Sequence, residues 1–398
     1  MMKKVLHLIR KNTQLKASFI GNQIANHIDF QPYVVFRENR NGALDGGFAA
    51  FDLDEVAYLD LSQSATSYED LLFKTTKTLS KRQVRSIIDF IENHQIDRLH
   101  FHYGTDCGAF FPLLKYLDLP SVVSFYGYDC SSFPSFMLGY GSRYLKNRVF
   151  DRVTSVLAMS PDMKQDLMKA GCPEEKIVVH YYGTDTRRFY MDRSYEAKET
   201  VTLLILATLV PQKGHLFLLR SVKQLIDSGV VNFKLRIVGA GELEEELHSF
   251  VLRHNLGNYV SFTGAIKYAS EEMMSEYSNA DIFVHPSVVA PNGDKEGIPG
   301  TIIEAMSAGL PVISTYNSGI PYVIEHDKTG LLVEEHDIKA LSKSIENLIT
   351  DPALRKKIGL AGQKHACENL DLHTKELELE KTYENLNKPI KPEQTCVE

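Results

Sequence analysis

One pattern runs through this chain twice. Short apolar runs alternate with amphipathic segments over residues 1–190, and the alternation restarts at residue 201. In the first half, Val5–Ile9, Pro32–Phe36, Arg98–His102, Ser121–Phe125, Ser155–Met159 and Ile177–Tyr181 read as strands. Helical spacing covers 18–29, 68–95 and 109–117, and Ser160-Pro161 is an N-cap and N1 pair for a helix that ends at Ala170-Gly171. In the second half, Val201–Leu206 (VTLLIL) is a continuous apolar run, as the buried centre of a parallel sheet requires. Phe233–Val238, Val260–Phe262, Asp281–His285 and Pro311–Ser314 follow as strands. Helices are expected over 214–228, 241–254 and 299–308, then a helix-rich stretch over 337–387. Strands alternating with helices imply a parallel sheet covered on both faces. The expected fold class is therefore α/β, with two doubly wound domains. Residues 191–200 (MDRSYEAKET) are polar and aperiodic and read as the linker, and the tail over 388–398 carries no apolar period and reads as mobile.

A length of 398 residues gives each half enough chain for its own core. The net charge of −7 argues against bulk nucleic-acid binding, which needs a phosphate-neutralising basic surface. Five Cys, at 107, 130, 172, 367 and 396, are odd in number and widely spaced, so neither a disulfide framework nor a structural zinc site is expected. Reduced thiols suit a cytoplasmic protein. The first residues, MMKKVLHLIRKN, read as a strand and not as a signal peptide. No window offers the ~18 apolar residues of a membrane span.

Doubly wound sheets bind ligands at the carboxyl ends of their strands, so the chemistry is expected at strand–helix turns facing a cleft between the domains. The strongest signal is NGDKEGIPGTIIEAMSAG over 292–309. Pro299 at a helix N1 position starts a helix through Ala308. Glu296 then sits before the helix and Glu304 one to two turns in. The unpaired amides of Gly297 to Thr301 and the helix dipole make a site for an anion. The bland alternative is an acidic surface loop. Thr208-Leu209-Val210-Pro211-Gln212-Lys213-Gly214-His215 ends the buried strand and puts an ammonium at a turn, where a diphosphate could meet it; an exposed Lys in an ordinary turn is the alternative. Gly239 and Gly241 form a GxG after a strand, equally consistent with a tight turn. Phe262-Thr263-Gly264-Ala265-Ile266 is a strand end whose backbone suits a nucleotide base.

In this order, Lys-Gly, GxG, FxG, E-x7-E and Ser318-Gly319-Ile320-Pro321 resemble the donor domain of retaining glycosyltransferases with two Rossmann-like domains, the GT-B architecture. Tyr182-Gly183-Thr184-Asp185-Thr186-Arg187-Arg188-Phe189 and Gly171-Cys172-Pro173 with Glu175-Lys176-Ile177 resemble further segments of the family. Residues 286–299 and Phe125-Tyr126-Gly127-Tyr128-Asp129 resemble its colanic-acid and exopolysaccharide branch.

The resemblance implies an acceptor domain over 1–190, a nucleotide-sugar domain over 201–370 and a helix over 371–387 crossing back to the first. It implies that Lys213 neutralises the donor diphosphate, Glu304 binds the ribose and Glu296 faces the donor sugar. The base is held around Gly264 and Ile266, and the distal phosphate and sugar by Gly297, Ile298, Pro299, Gly300 and Thr301, with Gly239 and Gly241 beside them. The acceptor side falls to His102, Tyr126 and Asp129, with Tyr126 also at the reacting centre. The implied substrates are a nucleotide diphosphate sugar, UDP- before GDP-, and a lipid-linked glycan acceptor. No metal or cofactor is implied.

This chain departs from the family at three places. The Arg expected five residues before the Lys is Thr208, with Arg236 or Lys267 as replacement cations. The histidine near the donor sugar is Tyr126. The branch's N-terminal "SETF" is Lys16-Ala17-Ser18-Phe19, which lacks the carboxylate. A transferase-like partner subunit that acts by binding, and a nucleotide-sugar epimerase of the same architecture, are the competing readings. Asp52-Leu53-Asp54 matches a DxD metal motif without supporting context and reads as a surface turn. His100 and His102 share one strand face, but a metal pair needs a third ligand and none is evident. Residues 136–150 (FMLGYGSRYLKNRVF) read as a basic amphipathic helix, suited to peripheral contact with the inner face of a membrane and equally consistent with a plain packed helix.

Overall fold

The computed structural model describes residues 2–39 and 56–386. Asp52, Asp54 and the tail over 388–398 lie outside the described residues. The chain divides into two compact units: Met1–Met159 with Met163–Tyr182 and Lys375–Glu398, and Ser160–Asp162 with Gly183–Thr374.

The N-terminal unit holds a seven-stranded parallel sheet. Its strands are β1 (Lys3–Lys11), β2 (Phe30–Glu38), β3 (Tyr58–Asp60), β4 (Arg98–His102), β5 (Ser121–Ser124), β6 (Ser155–Ala158) and β7 (Ile177–Val179), in the order β3-β2-β1-β4-β5-β6-β7. The strand order reverses between β1 and β4, and such a switch point is where open α/β sheets hold ligands. Register places His7 of β1 beside His100 of β4, and His102 beside Ser124 of β5. The C-terminal helix Leu372–Asn385 lies on this sheet through its second half. Leu379 and Tyr383 are fully buried in one cluster with Val5, Phe30, Val122 and Leu157.

The C-terminal unit repeats the scheme with β8 (Val201–Leu206), β9 (Phe233–Val238), β10 (Val260–Gly264), β11 (Ile282–Val284), β12 (Val312–Thr315) and β13 (Leu331–Val333). The order is β10-β9-β8-β11-β12-β13, all parallel, with the switch between β8 and β11. Both sheets are therefore the doubly wound kind that the alternation implies.

The differences are local. The helical stretch 68–95 is two helices, Ser67–Thr76 and Lys81–His94. Each opens with a capping box, Thr66 with Glu69 and Ser80 with Gln83, and left-handed Lys77 (φ 51°) ends the first. The helix expected over 18–29 stops at Ala25, which leaves His27 in a loop. The one expected over 109–117 runs over Gly104–Phe110 instead, and Pro112 separates it from a short 3-10 turn. Helix Glu271–Asn279 and the short strands β3 and β13 lack a strong sequence period.

The segment 191–200 has no regular structure, but it is strapped to the C-terminal unit. Arg193 donates to the carbonyls of Tyr277, Ala280 and Ala308, Tyr195 donates to that of Gly309, and Lys198 pairs with Asp281 at 2.6 Å.

Candidate active site

In the C-terminal unit, a cavity of about 300 Å³ opens where the ends of β8 and β9 meet the start of helix Gly300–Ser307. Its wall includes Thr208, Lys213, Gly239, Ala265, Ile266, Pro299, Gly300 and Thr301. Lys213 is the charged side chain among the residues that line it. Its ammonium lies 2.9 Å from a carboxylate oxygen of Glu296, and both side chains are largely buried. Three helices and three strands separate these residues in the sequence.

Gly214 explains how they meet. It holds φ 71°, and a Cβ there would fall 1.8 Å from the carbonyl oxygen of Pro286. Only glycine lets the turn after β8 press against the loop after β11, which carries Glu296. The Val288 amide donates to the Gln212 carbonyl at 3.0 Å and fastens the same two loops.

The glycines of the GxG let two turns pack closely. A Cβ on Gly239 would lie 1.9 Å from the Ala207 carbonyl oxygen, and one on Gly241 would lie 2.5 Å from that of Leu209. Their bareness lets the β9 turn pack on the β8 turn; Gly239 lines the cavity as well.

Helix Gly300–Ser307 begins one residue later than the sequence suggests. Pro299 is its N-cap, with φ −63° and ψ 119°, and supplies no side-chain cap. Nothing on the cap residue satisfies the first amides, and Gly300 and Thr301 line the cavity, so the positive end of the helix faces it. Ile298 is buried behind this wall, as is Gly297. Glu304 is buried as well and does not form the cavity wall. The Tyr277 hydroxyl donates to it at 2.6 Å. Burial pushes its pKa up to about 7 against the pull of that bond, so near neutral pH it is partly protonated.

Neither replacement cation fills the place beside Thr208. Arg236 is held by Glu276, 2.6 Å from Nε, and donates to Thr263. Lys267 is exposed and outside the cavity wall.

The N-terminal unit gathers the expected acceptor-side residues at the ends of β4 and β5. Tyr126 is partly buried, and its hydroxyl lies 2.6 Å from His102 Nδ1. Phe19 and Tyr103 pack on its ring with centroids 4.5 and 4.8 Å away. His102 and Asp129 are both fully buried. Asp129 accepts from the amides of Gly104, Tyr126 and Gly127 at 2.8, 3.1 and 3.3 Å. It therefore shapes the Tyr126 loop and offers no free carboxylate to an acceptor; burial raises its pKa to about 6.

His7 is the residue that sequence reasoning missed. It brings a third imidazole to His100 and His102, with ligand atoms of the three within 4.8 Å of one another. A polar residue amid the apolar run VLHLI was the available signal.

The segment 136–150 also departs from expectation. Met137, Leu138 and Gly139 are left-handed, with φ of 46°, 57° and 88°, so no continuous amphipathic helix forms. Instead Phe136, Met137, Leu138 and Tyr140 stand exposed, near the exposed Arg143 and Lys146 in sequence.

These two units are those of a known class. Residues 186–365 match Glycosyl transferases group 1, and residues 65–188 match Glycosyltransferase Family 4. Both matches are to glycosyltransferase families, and together they run from residue 65 to residue 365. It is 36% identical over 222 residues to WcaL of Escherichia coli (strain K12), whose name places it in colanic acid biosynthesis, covering 56% of this chain and 53% of that one. It is 32% identical over 245 residues to the amylovoran biosynthesis glycosyltransferase AmsK of Erwinia amylovora, covering 61% and 58%. The chain thus spans about half the length of the curated relatives it matches. Among solved structures, Anabaena Alr3699/HepE in complex with UDP and glucose superposes with a TM-score of 0.77 at 19% identity, over 97% of this chain and 100% of that one. Sucrose-phosphate synthase of Thermosynechococcus elongatus gives 0.76 at 17%, over 96% and 99%. The fold is that of the GT-B glycosyltransferases. Among the described residues, no helix is long and apolar enough to cross a membrane.

Proposed function

We propose that this protein moves a hexose from a nucleotide diphosphate sugar, a UDP-sugar before a GDP-sugar, onto a lipid-linked glycan in exopolysaccharide biosynthesis, with retention of configuration. The observation that carries this reading is the Lys213–Glu296 pair at a cavity walled by an uncapped helix start. Charge develops on the departing diphosphate as the sugar leaves. Lys213 and the amides of Gly300 and Thr301 are fixed donors for that charge, and preorganised donors of this kind give the largest catalytic term in many enzymes. No metal or cofactor is needed for such a step. Glu296, released from Lys213 by the incoming diphosphate, becomes free to accept hydroxyls of the sugar. The UDP and glucose in the Anabaena neighbour and the biosynthetic names of WcaL and AmsK support the substrate classes.

One observation favours the partner-subunit reading: Thr208 lines the cavity without a second cation beside it. The test is a thermal-shift and hydrolysis screen against UDP-, GDP- and ADP-sugars. One donor should stabilise the protein and be slowly hydrolysed. Binding without turnover, even with lipid-linked acceptor, supports the partner subunit, and donor isomerised without acceptor supports the epimerase. Thr208→Arg should tighten nucleotide diphosphate binding about tenfold, as expected for one added charge-assisted contact of ~1.5 kcal/mol; unchanged affinity in calorimetry would show that the position does not face the diphosphate.

A lipid-linked acceptor places the enzyme at the inner membrane face. The exposed Phe136, Met137, Leu138 and Tyr140 with Arg143 and Lys146 suit an anionic interface. Met137→Ser with Leu138→Ser should weaken flotation with anionic vesicles by on the order of tenfold or more, since each large apolar side chain contributes up to ~1.5–3 kcal/mol on burial. Equal flotation of both proteins removes this surface from the reading.

A further inference from the structure

The buried polar groups of the N-terminal unit are joined end to end. His27 Nδ1 lies 2.6 Å from Glu376 and 3.2 Å from Glu380. His27 Nε2 lies 2.8 Å from His7 Nε2. His7 Nδ1 lies 2.9 Å from His102 Nε2. His102 Nδ1 lies 2.6 Å from the Tyr126 hydroxyl. His7, His102 and both carboxylates are nearly or fully buried, and the His27 side chain is 1% exposed. Tyr126, at the far end, is partly exposed.

We propose that His27, His7 and His102 form a directional proton relay, with the Tyr126 hydroxyl as its outer end and the Glu376/Glu380 carboxylate pair as its inner anchor. Its service to catalysis rests on the transferase reading given above. The direction follows from charge. Burial lowers the His27 pKa, but Glu376 and Glu380 outweigh it and raise the group to about 9, so His27 is an imidazolium at neutral pH. Both its ring nitrogens then carry protons. Nδ1–H points to the carboxylates, so Nε2–H must donate to His7 Nε2. Burial keeps His7 and His102 neutral. His7 therefore carries its proton on Nδ1 and donates to His102 Nε2. His102 in turn donates from Nδ1 to the Tyr126 oxygen. Tyr126 keeps its own O–H, beside the Ser124 hydroxyl, as the outermost proton of the relay.

The step balances. Tyr126 gives its proton to an oxygen anion that develops beside it. In one concerted shift, the protons on His102 Nδ1, His7 Nδ1 and His27 Nε2 each move one place outward. One proton leaves, His27 becomes neutral, and no charged imidazole forms at His7 or His102. Sugar transfer releases one proton from the acceptor hydroxyl, and its return through Tyr126 restores His27. His7, His27 and His102 are positioning and relay residues, and Tyr126 is the end of the relay that exchanges protons with the reaction.

The competing use of these imidazoles is a metal site, since atoms of His7, His100 and His102 lie close together. The connectivity opposes it. His7 spends one nitrogen on His27 and the other on His102, and both His100 nitrogens are taken by Tyr383 and Ser124 at 2.6 and 2.8 Å.

The test is side-chain ¹H–¹⁵N correlation on full-length protein labelled at histidine, at pH 7.5, with metal content measured on the same sample. The relay requires a doubly protonated His27 and Nδ1–H tautomers at His7 and His102. A neutral His27, an Nε2–H tautomer at His7 or His102, or a stoichiometric metal overturns it. In transfer assays, His7→Asn should lower kcat on the order of 10²-fold with KM within about twofold. Tyr126→Phe should cost the same, and the double variant no more. Additive losses overturn the relay, and if His7→Asn does not fold, a linear solvent-isotope proton inventory in the wild type does so. The tautomers are read without turnover, so the expected pattern in a protein that transfers no sugar keeps the relay and sinks the transferase reading instead.

Discussion

Lys213→Ala should lower the proposed sugar transfer by on the order of 10²–10³-fold, the loss typical of removing one preorganised donor to a developing oxyanion. The expectation rests on how the cavity is charged. Lys213 is the cation among its lining residues, Thr208 stands where a second would help, and Glu276 holds Arg236. What remains after the substitution is the start of one helix. Glu296→Gln should separate binding from chemistry. It removes the carboxylate that competes with a diphosphate for Lys213. Nucleotide diphosphate should then bind more tightly by several-fold, while transfer falls because an amide is a weaker acceptor than a carboxylate for the sugar's hydroxyls. Calorimetry with the nucleotide and initial-rate assays with the donor read the two effects separately. If Lys213→Ala transfers at the wild-type rate, the cavity is not the donor site.

The second large effect is on stability. The N-terminal unit should lose on the order of 3 kcal/mol between pH 6.5 and 9 through His27 alone, at ~1.36 kcal/mol for each unit of pKa shift. His27 is raised from 6.5 to about 9 in the fold. The folded state therefore holds a proton that the unfolded chain has released. That stabilisation is complete below pH 6.5 and is lost as pH rises through 9. Glu376, itself pushed up by burial, acts in the same sense. In the C-terminal unit, Glu304, raised from 4.5 to about 7, adds a loss of comparable size as pH rises between those values. Urea unfolding followed by far-UV circular dichroism at several pH values reads this slope, since the chain has no Trp to report by fluorescence. His27→Leu should flatten the profile above pH 6.5. A wild-type profile that is already flat there would mean that the carboxylates do not hold His27 charged.

Much of the architecture was legible because its cause is local. Val201–Leu206 is apolar throughout and could only be an interior strand, and it is one with identical bounds. Phe233–Val238 and Arg98–His102 likewise match residue for residue. Short strands such as Tyr58–Asp60 were not legible, because three residues carry no period. The break at Lys77 was written in two capping boxes, yet the apolar spacing runs across it and masks them.

The candidate site divides along the same line. Lys213, Glu296 and Pro299 could be singled out because each sits at a turn whose residue types already imply an anion. That Lys213 meets Glu296 at 2.9 Å depends on Gly214 passing under the Pro286 carbonyl, a contact between segments some 70 residues apart. Glu304 shares the motif but is turned into the protein against Tyr277, on a helix that no sequence period revealed.

What the sequence determined by itself was the pair of doubly wound sheets and the turns that bear charge, because side-chain period and turn chemistry act over a few residues. What only the tertiary structure decided was which of those groups touch. His7, His27 and Glu376 come from a strand, a loop and the C-terminal helix, and of the three His7 alone, a polar residue in an apolar run, stands out in the chain. Parallel register and the packing of that helix bring them within hydrogen-bonding distance in a buried space, where a histidine's charge depends on its neighbours.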